Sequence, residues 1–284
     1  MRRFSLVAAV LTSFIAFSAP PAPSGPRALI FCAPGYPGTT QEAQPRMDEL
    51  AGALTELAGW PKDALTATYF PQQKPGLARI QQPDVALALV PLPFFLAHGA
   101  ELQLTPQLAI VQQGLEATQS WTLVAKKGAL KKASDLEGYS IFSTAGYAPN
   151  FVTAVALEGY GPLPASVKVT TGGQVLSALR KASGGLEKLA VLLDAEQAKA
   201  LPTLPFAGEL EVVHVGPKVP VALVTTVGAR LPAADWKAAA TAFEKLPTAP
   251  RGKTAMEGVR LTGFVPLDDA AMTRVKKAYG SPVK

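Results

Sequence analysis

An α/β fold in two units is what this chain of 284 residues predicts, and three observations predict it. Strand-like and helix-like runs alternate along the chain, the pattern of sheets flanked by helices. The run "ASDLEGYSIFS" reads as a fresh start, a short capped turn feeding a new first strand. The frame I-F-x-x-x-G-Y occurs twice, as "IFCAPGY" (30–36) and "IFSTAGY" (141–147), each time between a strand and a helix.

The elements follow in order. "ALIFCA" is a buried strand, and a Gly/Pro loop runs from it to Thr40. The next helix carries Met47, Leu50, Ala51, Leu54, Leu57 and Ala58 at helical spacing. "ALTATYF" (64–70) and "DVALALV" (84–90) are the next strands, then "SWTLVAKK" (120–127), "YSIFS" (139–143) and "SVKVTT" (166–171). "KLAVLLD" (188–194), "LEVVHV" (210–215) and "VALVTTV" (221–227) complete the set. Helices are expected over 149–158, 174–182 and 195–201, and two more around Trp236–Leu246 and Ala271–Ala278. Such alternation predicts largely parallel, buried sheets. Residues 26–117 with 214–284 form the first expected lobe and 118–213 the second. The two crossings, near "SWTLVAKK" and "VVHVGPKVPVA", form the expected hinge.

Ahead of these elements, Arg2 and Arg3 precede an apolar run from Phe4 to Phe17 and then "SAPPAPSGP". A basic start, a short apolar stretch and small residues at the exit (Ala16 and Ser18) predict a cleavable signal peptide and proline-rich spacer over residues 1–25. The run falls short of the ~20 apolar residues of a comfortable membrane span. Export to the periplasm is the expectation. The single cysteine, Cys32, allows no internal disulfide and sits in an apolar strand. Basic residues number 27 against 21 acidic, a net charge of +6; without Arg2 and Arg3 the balance is 25 to 21, or +4. They are scattered, and nucleic-acid binding calls for a clustered stripe with aromatics between.

The residues capable of chemistry are few. A nucleophilic Ser143 needs a histidine within hydrogen-bond reach, and the chain has two, His98 and His214. "STAG" is not the G-x-S-x-G elbow, no metal-ligand spacing occurs, and no nucleotide loop is present. No cofactor and no enzymatic activity are expected, with a secreted serine hydrolase using Ser143 as the alternative of another class. Binding explains the same loop better. Pro149 suits a first helical turn. The loop before it aims backbone N–H groups and the hydroxyls of Ser143 and Thr144 above the sheet, where α/β proteins hold ligands. "IFCAPGYPGTTQ" repeats the arrangement with Tyr36, Thr39 and Thr40, so Tyr36 and Tyr147 are expected to face one cleft.

The order of features resembles the phosphate/phosphonate-type periplasmic substrate-binding proteins of ABC transporters. The carriers are "DVALALVPLPFFLAHGA", "SWTLVAKKGALKKASDLEGYSIFSTAGYAPNF", "VLSALRKASGGLEKLAVLLDAEQ" and "LTGFVPLDDAAMTRVKKAY". The resemblance implies the two-lobed type II fold, hinge closure on a small ligand, a membrane permease as partner, and a monomer. Residue by residue it implies ligand contacts at Tyr36, Phe94, Ser143, Thr144 and Asp194. Three departures weaken an oxyanion site: Ala145 stands where the family often has a second serine, Phe94 lacks a phenolic donor, and the helix after Tyr147 carries no histidine. The apolar residues from Pro91 to Phe95 beside Tyr36 and Tyr147 then suit a lipid-like ligand, because a desolvated dianion needs charge-assisted donors. Two blander readings stand beside these: Asp194 caps the helix that follows it, and Phe94 and Phe95 pack the core.

Overall fold

The computed structural model describes residues 26–280; the signal-peptide reading falls on residues outside them. β1 (Arg27–Cys32) leads into α1 (Thr40–Leu57), β2 (Leu65–Phe70), α2 (Gln73–Ile80) and β3 (Val85–Pro91). α3 (Leu92–His98), β4 (Leu104–Gln112), β5 (Thr118–Gln119) and β6 (Thr122–Lys126) follow. Next come β7 (Ser140–Ser143), a π-helical turn (Phe151–Ala156), β8 (Lys168–Thr171), α4 (Val175–Gly184), β9 (Leu189–Leu193) and α5 (Ala195–Ala200). The chain then forms β10 (Leu210–Val215), β11 (Val219–Pro220), β12 (Ala222–Val227), α6 (Ala233–Lys245), α7 (Pro250–Gly258), β13 (Leu261–Pro266) and α8 (Asp269–Gly280).

The strands divide between two main sheets. The first has the order β13-β4-β12-β3-β1-β2 and the second β10-β6-β9-β7-β8, while β5 and β11 pair as a two-stranded link. β1, β2 and β3 run parallel, β4 shares their direction, and β12 and β13 oppose it. In the second sheet β7, β8, β9 and β10 share a direction and β6 opposes it. Most strands of each sheet are therefore co-directional, as the alternation predicts. The chain passes between the sheets at the antiparallel pair β5–β11.

Period-two alternation sorts the strands' side chains onto two faces. Ala28, Ile30 and Cys32 of β1 enter a core that also takes Leu123, Ala125, Ile141, Ala190 and Leu192 from the second sheet. Leu29 of β1 points the other way, to a core covered by α1, α6 and α7. Val124, Val191 and Leu193 join Ala178, Leu179 and Ala182 of α4 in a third core. The first of these cores is continuous across both sheets, so the two lobes are packed together.

Seven elements lie outside the sequence-based expectations: β5 and β11, two residues each and too short to show a period, and five whose composition explains it. β4 contains Pro106, which cannot donate to a ladder; it sits opposite Thr225 where the β12–β4 register shifts. β13 carries Gly263 at the corresponding shift against β4. α2 holds Pro75 and Gly76, a turn-like pair, yet Gly76 is buried. A Cβ there would collide with Cys32 Sγ, so close approach to β1 accounts for the glycine. α3 and α7 each begin beside proline, at positions where helices tolerate it. The helix expected over 149–158 is instead a π turn of six residues, in which Leu157 N–H donates to Val152 O at 3.1 Å.

Candidate ligand-binding site

Two strand-to-helix loops build the site. After β1, Ala33 N–H donates to Phe70 O at 3.0 Å and Gly35 N–H to Pro71 O at 3.2 Å, which ties the loop to the end of β2. Gly35 has φ of 85°, a left-handed conformation that favours glycine. After β7, Ser143 Oγ accepts the Ala145 N–H at 3.2 Å and Ser143 O accepts the Gly146 N–H at 3.1 Å. A Cβ on Gly35 would lie 3.2 Å from Thr144 O. The loops of the two sheets therefore meet backbone to backbone.

Around that meeting point Tyr36 O–H points at Asp194 Oδ2 across a long 3.5 Å. Asp194 also caps α5, its Oδ1 accepting the Gln197 N–H at 2.8 Å while Gln197 Oε1 accepts the Asp194 N–H at 3.2 Å. Burial pushes its carboxyl up to about 6, against the lowering effect of these backbone bonds. The hydroxyls of Tyr36 and Tyr147 are both held well above the ordinary tyrosine range. Burial is the main cause for each; Asp194 adds to it at Tyr36, and Cys32 and Tyr36 add to it at Tyr147. Tyr147, from the second sheet's loop, lines the same cleft as Tyr36 and Pro34 of the loop after β1.

The space enclosed is a cavity of about 20 Å³ lined by Tyr36, Thr144, Tyr147, Asp194, Trp121 and Gln119, with prolines 34, 91 and 93. That is room for about one water. Among the described residues lining it there is no Lys, Arg or His, and Asp194 is its one ionisable carboxylate. A larger cavity of about 340 Å³ adjoins it on the first sheet and shares Tyr36, Pro91 and Val221 with it.

Four residues read from the sequence meet at this cleft: Tyr36, Thr144, Tyr147 and Asp194. The capping reading of Asp194 holds alongside its cleft position. Ser143 lies beneath the loop, fully buried. Thr39 is an exposed N-cap of α1, accepting the Glu42 N–H at 3.2 Å, and sits on the rim of the larger cavity. Phe94 is placed in the core, with 0% exposure, its ring 5.1 Å from that of His98 and tilted against it by 55°. Its helical position on α3 turns it inward, which a sequence without a visible helix start at Pro91 does not reveal. Trp121 and Gln119 were not anticipated as lining residues. Both follow directly from the hinge position of β5, since chain crossings flank the cleft.

Both histidines have partners other than Ser143. His98 Nε2 faces Gln73 at 2.6 Å and His214 Nε2 faces Glu158 O at 3.1 Å. Among the described residues no group of three or more His, Cys, Asp or Glu could hold a metal ion, and no helix is long and apolar enough to cross a membrane.

No family model and no curated protein matches the chain. Solved structures do. XAC2383 from Xanthomonas citri, bound to ATP, is 17% identical with a TM-score of 0.67, over 90% of this chain and 96% of that one. PhnD1 from Prochlorococcus marinus in complex with methylphosphonate is 14% identical with a TM-score of 0.61, over 89% and 97%. A binding protein component of an ABC phosphonate transporter from Pseudomonas aeruginosa is 12% identical with a TM-score of 0.59, over 90% and 86%. This chain has the type II periplasmic-binding-protein fold. At such identities the likeness is one of fold. In the type II fold of this chain the candidate site lies between the two lobes, where the loops after β1 and β7 converge.

Proposed function

We propose that this protein is the exported, periplasmic solute-binding component of a membrane importer. It acts as a monomer that closes two lobes, 26–117 with 214–284 and 118–213, on a small ligand and presents it to a permease. The observation that carries this reading is the convergence of Tyr36, Thr144, Tyr147 and Asp194, from loops of separate sheets, on one cleft. Lobes joined by a packed core on one side and by the β5–β11 link, and meeting on the other through the loops after β1 and β7, suit hinge closure.

The ligand class follows from the lining. Bringing a dianion beside a buried carboxylate, with no cationic side chain among the described lining residues, costs several kcal/mol by order of magnitude. This favours the reading of a carrier for an apolar, lipid-like molecule over a phosphonate-binding one. The hydrolase reading of Ser143 gains no support, because its Oγ is buried and accepts the Ala145 N–H.

Thermal-shift titration with inorganic phosphate, methylphosphonate, ATP and dodecan-1-ol tests both points. A rise in Tm with dodecan-1-ol, and none with the three phosphorus compounds, is expected. A rise with methylphosphonate alone would overturn the apolar reading, and co-purification of no ligand together with no shift from any compound would overturn the carrier reading.

A further inference from the structure

The cavity of about 340 Å³ beside the cleft is large enough for a small molecule, since ligand pockets run from ~300 to ~1,000 Å³. Its walls are graded from apolar to charged. Deep in it lie Ala33, Met47, Tyr69, Ile110, Ala222 and Leu261, all buried. Three charged residues, Glu42, Arg46 and Arg260, are exposed lining residues at its edge. A fourth, Glu196 of α5, arrives from the second lobe and pairs with Arg260 at 2.5 Å. The volume comes from small side chains: Ala33, Ala43 and Ala222 line it where larger apolar residues would fill it. A pocket of this size with an apolar floor and a charged mouth suits a molecule that is apolar along its length and polar at one end.

We propose that this cavity is a ligand compartment of the first lobe for an amphiphile, a molecule with an apolar body and one polar end. The apolar body lies against the first sheet between Met47 and Ile110, and the polar end sits at the mouth between Arg46 and Arg260. Tyr36, Pro91 and Val221 are common to both cavities, so the compartment reports its occupancy to the cleft through the tyrosine that faces Asp194. Glu196 adds the second lobe to the mouth and covers the ligand in the closed arrangement. The proposal rests on the cavity itself and holds whether or not the protein serves a permease.

The test uses the whole mature chain and the fluorescent probe 1-N-phenylnaphthylamine, with dodecan-1-ol as competitor. Saturable binding of one probe per chain, displaced by dodecan-1-ol, is expected. Ala222→Phe and, separately, the half-buried Ala43→Phe fill the compartment from its two walls; each is expected to weaken binding at least tenfold at unchanged circular dichroism. Leu186→Ala, at an exposed position of the second lobe that lines neither cavity, is expected to retain probe binding within about threefold. Absence of saturable binding by the folded protein overturns the proposal. So does wild-type affinity in whichever filled variant folds. A loss in Leu186→Ala as large as that in the filled variants would detach the effect from this cavity and overturn it equally.

Discussion

Asp194 is the residue whose two duties conflict. As the N-cap of α5 it needs its acceptor oxygens; as a wall of the cleft it is 6% exposed and faces a tyrosine rather than a cation. Burial dominates and raises its pKa from 3.8 to about 6 with the loops packed against it as they are here. Opening the cleft returns water to the carboxylate and its pKa towards the ordinary value, so the closed form binds the proton more tightly. The resulting bias towards closure is fully present below about pH 4 and lost as pH rises through about 6, with an upper magnitude near 3 kcal/mol. At neutral pH the ionised carboxylate opposes closure unless a ligand supplies a donor to it. Small-angle scattering of the ligand-free protein from pH 4.5 to 7.5 is expected to show expansion with rising pH, and Asp194→Asn is expected to flatten the profile. A wild-type profile as flat as that of the variant would remove Asp194 from the control of closure. Tyr36 and Tyr147 were legible at this scale because a repeated frame marked them. Phe94 was not, because facing the core or the cleft depends on the phase of a helix whose first turn is proline-rich.

Among the elements, legibility tracked how cleanly one period ran. Strands such as "DVALALV" and the helix around Met47 and Leu54 carry uninterrupted apolar patterns and were readable. β4, β13 and α2 are each interrupted by proline or glycine that serves a tertiary purpose, a bulge in the strands and a close approach in the helix. Local chemistry reads as a turn there, and tertiary packing overrides it. Gly76 offers a direct check. Gly76→Ala forces a methyl into Cys32 Sγ, and overpacking of this kind costs about 1–3 kcal/mol. Cys32→Ala removes that sulfur, and the double variant is expected to recover at least half of the loss in a denaturant-midpoint cycle. Additive losses in the double variant would mean that the glycine serves the backbone of α2 and not its contact with β1.

At the scale of the whole molecule, the question is what holds the lobes together without a ligand. Charged contacts span the structure: Arg260 with Glu196 at 2.5 Å, and Arg274 of α8 with Glu158 at 3.4 Å and Lys218 O at 2.7 Å. Their side chains are 40–66% exposed in both ion pairs, and exposed pairs contribute only about 0–1 kcal/mol each. The continuous core beneath α3, α8 and the π turn fixes the hinge side, which leaves the loop contact between Gly35 and Thr144 to set closure on the cleft side. A methyl at Gly35 acts there as a wedge. Gly35→Ala also strains a backbone at φ of 85°, costing about 1–2 kcal/mol, so stability alone cannot separate wedge from strain. Gly59→Ala provides the control, because its φ is 67° and a Cβ there meets nothing within 4 Å. Both substitutions are expected to lower the unfolding midpoint by similar amounts, and only Gly35→Ala to enlarge the radius of gyration and weaken ligand binding. Equal radii for the two variants would assign closure to the packed hinge side and not to the loops that carry the repeated Gly-Tyr frame.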